Sequence, residues 1–144
     1  MKKGSLILAT AAVLLMLTGC QKEEFAEAPV YGDIYCSSSH PEVGDTVYLR
    51  VQVIYAGNRI NSGAYNWKIR DPFSEITSIT TRFIRKTGEK SLSQVPETQW
   101  IPKEEGNHII NMSAKFSYSM GDRNSIMRGS ASAYGSVKVY PKSN

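Results

Sequence analysis

The amino-acid sequence predicts an all-β domain, a Greek-key β-sandwich of about seven strands preceded by an export segment and a polar tether. Apolar and polar residues alternate through most of the chain, which is typical of half-buried strands. Gly, Asn, Asp and Pro interrupt this alternation about every 8 to 12 residues, which is the spacing of turns in a sandwich. No apolar repeat of 3.6 residues and useful length follows the export segment, so we expect few helices.

The export segment has the three parts of a secretory signal. Residues Met1–Lys3 are basic, Leu6–Leu17 are apolar, and small residues follow. The apolar run would span roughly 18 Å as a helix, which is shorter than the roughly 30 Å hydrocarbon core of a bilayer. We therefore expect residues 1–19 to be removed rather than kept as a membrane-spanning helix.

The segment ends in Leu17-Thr18-Gly19-Cys20, which resembles the lipobox of bacterial lipoproteins. The resemblance implies that Cys20 becomes the N-terminus of the mature chain and carries acyl chains. Two or three acyl chains anchor a protein stably whereas one does not, so we expect attachment to the membrane through lipid on Cys20. The alternative is an ordinary signal peptide that ends near Gly19.

A polar tether is expected over residues 20–30. Gln21 rather than Asp follows Cys20, which argues against the inner-membrane retention signal of some Gram-negative lipoproteins. The run Gln21-Lys22-Glu23-Glu24 resembles the signal that sends some lipoproteins of Gram-negative anaerobes to the cell surface. We expect an outer-membrane lipoprotein of the cell envelope, exposed at the surface; the alternative for this run is a solvated linker.

Charge and cysteine content limit the partners of the mature chain. Removal of residues 1–19 takes away two lysines and no acid, so the charge becomes 17 − 2 − 13 = +2. A nearly neutral chain does not favour nucleic acid, which normally requires a clustered basic surface. With Cys20 lipidated, Cys36 has no intramolecular disulfide partner and is either a small buried apolar residue or a reactive or intermolecular thiol.

The strands follow in order along residues 31–141, the expected sandwich domain. Val47–Ile54 alternates between turns at Gly44-Asp45 and Ala56-Gly57-Asn58, and Asn61-Ser62-Gly63 is expected to interrupt the chain again. The next strand places three residues on one face and ends at Asp71-Pro72: Tyr65, Trp67 and Ile69.

Ile76–Arg85 is rich in β-branched residues and predicts a strand before a turn at residues 86–89. Leu92–Val95 predicts a short strand that stops at Pro96. The longest alternation is His108–Met120, with seven residues on one face: His108, Ile110, Met112, Ala114, Phe116, Tyr118 and Met120. A loop over residues 121–124 leads to a last strand, Ser130–Tyr140, which completes a terminal hairpin with five inward residues: Ala131, Ala133, Gly135, Val137 and Val139.

Several of these residues also form a family pattern. Val47-x-Leu49-x-Val51 precedes Trp67, and Trp100-Ile101-Pro102 precedes Gly106 and His108-x-Ile110, with Val137-x-Val139 at the end. This order resembles the immunoglobulin-like domains of the PKD type, which carry a tryptophan on the third strand. The resemblance covers most of residues 31–141 and implies an immunoglobulin-like (PKD-like) Greek-key sandwich.

Catalytic and metal-binding patterns are not evident. His40 and His108 fall on different predicted elements, and the Cys, His and acidic residues lack the spacing of zinc or calcium ligands. Glu104-Glu105 fits a solvated turn. We expect no enzymatic activity, no metal and no cofactor. The basic residues Arg82, Arg85, Lys86 and Lys90 form a local patch that is either a solvated turn or a contact for anionic glycan or lipid headgroups.

Tyrosines are the candidate binding residues. Tyr48 alternates with the Val47 face, and Tyr134 and Tyr140 alternate with the Val137 face, so these rings are expected to be solvent-facing. Exposed aromatic rings stack on sugars and anchor protein interfaces, although scattered tyrosines are also ordinary in a sandwich. Separately, Asp45-Thr46-Val47 resembles the acceptor for O-glycosylation in some Gram-negative anaerobes, which implies a modification on Thr46.

The sequence therefore predicts a membrane-anchored envelope lipoprotein with a non-catalytic binding role for a glycan or another envelope protein. The alternative is a structural or assembly subunit of a larger envelope complex that uses sheet-edge pairing.

Overall fold

The computed structural model describes residues 26–84, 95–120 and 123–144, and the side chains of these residues apart from those at 119–127. Several sequence-based predictions lie at least partly outside this part of the chain. They are the signal segment with its lipobox and Cys20, tether residues 21–25, the turn at residues 86–89, residues 92–94 of the predicted short strand, residues 121–122 of the predicted loop, and Arg85, Lys86 and Lys90 of the basic patch. The described part of the chain has no helix long and apolar enough to cross a membrane.

The described residues form an all-β structure of two antiparallel sheets, which confirms the predicted β-sandwich architecture. The seven strands are β1 (Val30–Cys36), β2 (Val47–Tyr55), β3 (Ile60–Arg70), β4 (Ile76–Ile84), β5 (Glu97–Trp100), β6 (Gly106–Met120) and β7 (Arg123–Val139). One sheet has the order β1-β2-β5, and the other has the order β4-β3-β6-β7.

The inward faces of the strands form one hydrophobic core, with Trp67 fully buried near its centre. The predicted inward residues of β2, β3 and β6 are buried up to Tyr118, apart from half-buried Val53, because period-two alternation places every second side chain between the sheets. His108 belongs to this face and is only 2% exposed. On β7 the inward residues are small near β1, and Gly135 leaves room for Ile34 to approach across the sandwich.

Three sequence-based boundaries are wrong. Asn61-Ser62-Gly63 does not form a turn but belongs to β3, a central strand that pairs with β4 and β6. The irregularity there is a shift in the register with β6 between Ile60 and Ser62. The last strand begins at Arg123, where it pairs with Met120, rather than at Ser130. A strand follows Pro96, over Glu97–Trp100, and Val95 itself is not in a strand.

β1 was not predicted from the sequence, because an irregularity breaks its alternation. Its pairing with β2 shifts between Tyr31 and Ile34, and residues Gly32-Asp33 form the irregular step. Tyr31, Ile34 and Cys36 consequently all pack toward the core, at spacings of three and then two. A bulge of this kind moves later side chains to the opposite face from the one that strict alternation predicts.

The two ends of the sandwich differ. The described chain begins at Ala26, and Glu27 forms a backbone bridge with Asn58 beside the β2–β3 turn. At the opposite end, residues 41–43 form backbone hydrogen bonds with Tyr140. This second end also carries the loops with most of the acidic residues that the structure describes: Glu42, Asp45, Asp71, Glu75, Glu104 and Glu105.

Candidate binding surface

The outer face of the three-stranded sheet carries a row of polar and aromatic side chains across all three strands. Tyr35 of β1 is the register partner of Arg50 on β2, and Arg50 is the partner of Glu97 on β5. Tyr48 lies one row away on β2, beside Gln99. Tyr35 and Tyr48 remain 52% and 46% exposed, so their rings are accessible to a ligand.

An ion pair fixes the centre of this row. Arg50 donates from Nε to Glu97 Oε2 at 2.8 Å, and its Nη2 lies 2.6 Å from the same oxygen. An arginine has five N–H donors and a carboxylate has two acceptor oxygens, so this pair keeps unused donors and acceptors beside the tyrosines. The pair therefore offers both kinds of hydrogen-bonding group while adding no net charge.

Tyr48 is held by the end of β1. The backbone N–H of Tyr48 donates to Ser37 Oγ at 2.9 Å, and the backbone N–H of Ser37 donates to the Tyr48 carbonyl. The side chains around this point enclose a shallow cavity of about 350 Å³, lined by Tyr35, Cys36, Ser37, Tyr48, Arg50 and Glu97. We call Tyr35, Ser37, Tyr48, Arg50 and Glu97 the tyrosine surface.

The structure does not bring the three predicted tyrosines together. Tyr134 is 66% exposed but lies on the outer face of the other sheet, paired with Asn111. Tyr140 is half-buried, and its ring stacks on His40 with centroids 3.5 Å apart, while Lys138 Nζ lies 5.2 Å from its centroid. Tyr48 is thus the one predicted tyrosine on the tyrosine surface.

Tyr35, Arg50 and Glu97 were not predicted from the sequence as binding residues. The outward position of Arg50 does follow from its alternation with the buried residues of β2. Its pairing with Tyr35 and Glu97 depends on contacts between strands that are far apart in the sequence. Tyr35 in addition follows the irregular step in β1, so alternation gave no reliable face for it.

A larger cleft of about 510 Å³ opens between β4 and β5. Asp71 lines it, but its Oδ1 accepts the backbone N–H groups of Phe73 and Glu75, each at 2.9 Å, which stabilises the turn. His108 Nδ1 lies 3.1 Å from the Gly106 carbonyl oxygen, and its ring meets Trp100 edge to face at 5.0 Å. The described residues contain no group of three or more His, Cys, Asp or Glu suited to a metal ion.

Two further positions considered in the sequence, Thr46 and Cys36, lie in the described part of the chain. Thr46 is exposed in the loop before β2, so its hydroxyl is accessible, and its O-glycosylation stays a prediction. Cys36 is a free, partly buried cysteine that packs against the core. Its position is that of a small apolar residue at the margin of the core.

No family model, curated protein or solved structure matches this chain. The arguments for its function therefore rest on its residues and their geometry.

Proposed function

We propose that this chain is a lipid-anchored protein of the outer membrane that binds an uncharged glycan through the tyrosine surface. The observation that carries the proposal is the pair of exposed rings, Tyr35 and Tyr48, beside the ion-paired Arg50 and Glu97 on a rigid sheet. Aromatic rings stack on the apolar faces of sugars, and fixed donors and acceptors orient the sugar hydroxyls. The absence of net charge in the pair favours a neutral ligand.

The domain that carries this surface is, in our proposal, immunoglobulin-like and of the PKD type. If the strands are lettered in chain order as A, B, C, C′, E, F and G, the sheets become A-B-E and C′-C-F-G. This arrangement agrees with the sheet membership of immunoglobulin-like sandwiches, in which C, F and G lie opposite A, B and E. Trp67 on the third strand, buried against the core, adds support.

Anchoring at Cys20 is compatible with the geometry of the domain. The described chain begins at Ala26, six residues after Cys20, at the end of the sandwich near Asn58. Six extended residues span at most about 21 Å. We infer that the tether holds this end toward the bilayer, and that the acid-rich end points away from it.

The anchor proposal predicts that Cys20→Ser moves the protein out of the membrane fraction. Without acyl chains, and with no spanning helix in the described residues, little would hold the domain to a bilayer. Fractionation of cells and immunoblotting of the membrane and soluble fractions measure the change. Ser37→Ala, which alters the folded domain instead of the lipobox, is the control; an unchanged membrane fraction for Cys20→Ser contradicts the anchor.

The glycan proposal predicts that Tyr35→Ala with Tyr48→Ala weakens binding at least about tenfold, because each aromatic anchor contributes about 1 kcal/mol or more to binding. The full chain, purified in a non-ionic detergent, would be titrated against soluble neutral polysaccharides such as β-glucan, mannan, xylan and starch. The matched control is Tyr134→Ala, which removes an even more exposed ring from the other sheet. Equal binding by the double variant and the control, or binding of none of these glycans, overturns the proposal.

Assembly through a sheet edge is a second candidate, favoured by β4. Its nine residues pair with β3 in one unbroken register, and no described residue pairs with its other edge. Ile76 and Ile84, at its two ends, are exposed. Unprotected edges of this kind can add a strand from a partner. Such pairing uses backbone groups of β4, so it would persist in the double tyrosine variant, which separates the two candidates.

A further inference from the structure

The outer face of the four-stranded sheet has an unusual charge distribution. Ten Lys and Arg side chains lie in the part of the chain whose side chains are described, and six of them project from this face. We call these six the cationic face: Lys68, Arg70, Arg82, Lys115, Arg128 and Lys138. None of the nine acidic side chains in the same part of the chain projects from this face.

The strand register fixes where these cations lie. Arg82 and Lys115 are both register partners of Ala64, so they occupy one row on either side of β3. Arg128 lies one row further toward the end where the described chain begins, opposite Ser117. Lys68 and Arg70 lie on β3 toward the opposite end, and neighbouring rows are roughly 7 Å apart along a strand. The cations therefore extend over most of the sheet and are not confined to one turn.

Uncharged hydrogen-bonding groups occupy many of the positions between the cations, although apolar Ala64 lies between Arg82 and Lys115. The central row contains Asn66 and Thr80, which are joined by a hydrogen bond of 2.9 Å, and continues through Ser113 and Ser132. Toward the end of the sheet that carries Arg70, six side chains line a cavity of about 200 Å³: Lys68, Arg70, Ile76, Ile109, Asn111 and Tyr134. Exposed Tyr134 thus lies beside two cations and an amide.

None of the six cations forms an ion pair with an acidic side chain in the described part of the chain. Six like charges on one sheet repel one another and contribute little to folding, whereas a polyanion would neutralise several of them together. The acidic residues are instead concentrated at one end of the sandwich. The net charge of the mature chain is therefore small although this face is strongly basic.

We propose that the cationic face binds an acidic polysaccharide, an extended glycan with repeated carboxylate or sulfate groups. Six positive charges on one face favour a polyanionic ligand. Because the cations extend over most of the sheet, an extended polyanion can contact several of them at once. The Ser, Thr and Asn side chains match the hydroxyls of a sugar chain, and Tyr134 offers a ring for stacking. Membrane headgroups fit less well, because the cations continue to the end of the sheet that lies away from Ala26. This face is separate from the tyrosine surface and has a ligand of different charge.

The test uses the full chain in a non-ionic detergent and heparin as the acidic polysaccharide. Lys68→Ser with Lys115→Ser should weaken heparin binding about tenfold at low salt, because the loss of each exposed charge contact weakens binding about threefold. The dependence of the binding constant on salt should also become shallower, since fewer counterions are released. Lys103→Ser with Lys142→Ser removes the same charge outside this face and should leave both quantities nearly unchanged. Thermal unfolding of each variant verifies that it is folded.

Three outcomes would overturn the proposal. Equal weakening by both double variants would mean that overall charge, and not this face, attracts heparin. Binding to phosphatidylglycerol vesicles but not to heparin, lost in Lys68→Ser with Lys115→Ser, would make the face a membrane contact. Absence of heparin binding by the unmodified chain would also reject it. The neutral-glycan titrations with the tyrosine variants test the tyrosine surface only, so their outcome does not affect the heparin result.

Discussion

Gly63→Ala is expected to lower the free energy of unfolding by about 2 to 3 kcal/mol, because overpacking a rigid core forces the backbone and side chains to move. Gly63 lies on the inward side of β3, between Phe83 on β4 and Phe116 on β6. A Cβ atom there would come 2.5 Å from the Lys115 carbonyl oxygen and 2.6 Å from Phe83 Cζ. The backbone cannot move away easily, since β3 pairs with a strand on each side.

The matched control is Ala64→Val, which adds methyl groups to the next residue of β3 on the opposite, outward face. β-branched residues suit strands, so the change should alter the free energy of unfolding by less than about 0.5 kcal/mol. Urea unfolding monitored by tryptophan fluorescence measures both variants. A Gly63→Ala protein as stable as Ala64→Val would mean that the aromatic packing over Gly63 is looser than the structure indicates.

Gly63 also illustrates why the buried faces of the strands were predicted better than the residues at which the strands begin and end. Alternation correctly assigned the buried faces around Trp67 and along His108–Tyr118, because a strand in a sandwich buries every second side chain. Asn61-Ser62-Gly63 resembles a turn when only local preferences are considered. In the folded chain Ser62 and Gly63 pair with residues of both neighbouring strands, and Gly63 is needed because two phenylalanine rings lie over it.

The strands that the sequence missed lacked a local signal. β1 contains an irregular step at Gly32-Asp33, which breaks the alternation on which the prediction depended. β5 has only four residues and is flanked by Pro96 and Pro102, both of which are buried. Proline normally argues against a strand, but here each proline lies just outside one.

The candidate surfaces were predictable only one residue at a time. Alternation placed Tyr48 and Tyr134 toward solvent, and both are exposed. Which exposed residues become neighbours depends on strand order and register, since Tyr35, Arg50 and Glu97 come from three strands. The cationic face is hidden for the same reason: its six residues are scattered over four strands, and the basic patch noticed in the sequence includes only Arg82 among them.

The free energy of unfolding should fall as pH rises above about 10, because tyrosines inside the sandwich must stay protonated. Burial raises the pKa of Tyr31, and the nearby hydroxyls of Tyr65 and Tyr118 raise it further. Burial also raises the pKa of Tyr65, although a hydrogen bond with Tyr31 offsets part of this effect. Burial alone raises the pKa of Tyr118. All three therefore hold their protons more tightly in the folded chain than in the unfolded chain.

The direction of the pH effect follows from proton linkage. Below about pH 10 both states keep the tyrosine protons, and the stabilisation is fully present. Above this pH the unfolded chain loses protons that the folded chain retains, so stability decreases by up to about 1.4 kcal/mol per pH unit for each tyrosine. The loss continues until the folded-state pKa is reached. Tyr31 and Tyr65 titrate as a coupled pair, so their combined slope is the meaningful quantity.

Tyr31→Phe with Tyr65→Phe should make this decline markedly shallower between pH 10 and about 11.5, although loss of the hydroxyl contact lowers stability at neutral pH by about 1 kcal/mol. Urea unfolding at several pH values measures how steeply the free energy of unfolding falls with pH. The loss of the hydroxyl contact lowers this free energy equally at each pH and does not change the slope. Tyr134→Phe, which removes a hydroxyl from an exposed ring, should keep the slope of the unmodified protein. Parallel pH profiles for the double variant and the unmodified chain would show that the interior hydroxyls are solvated.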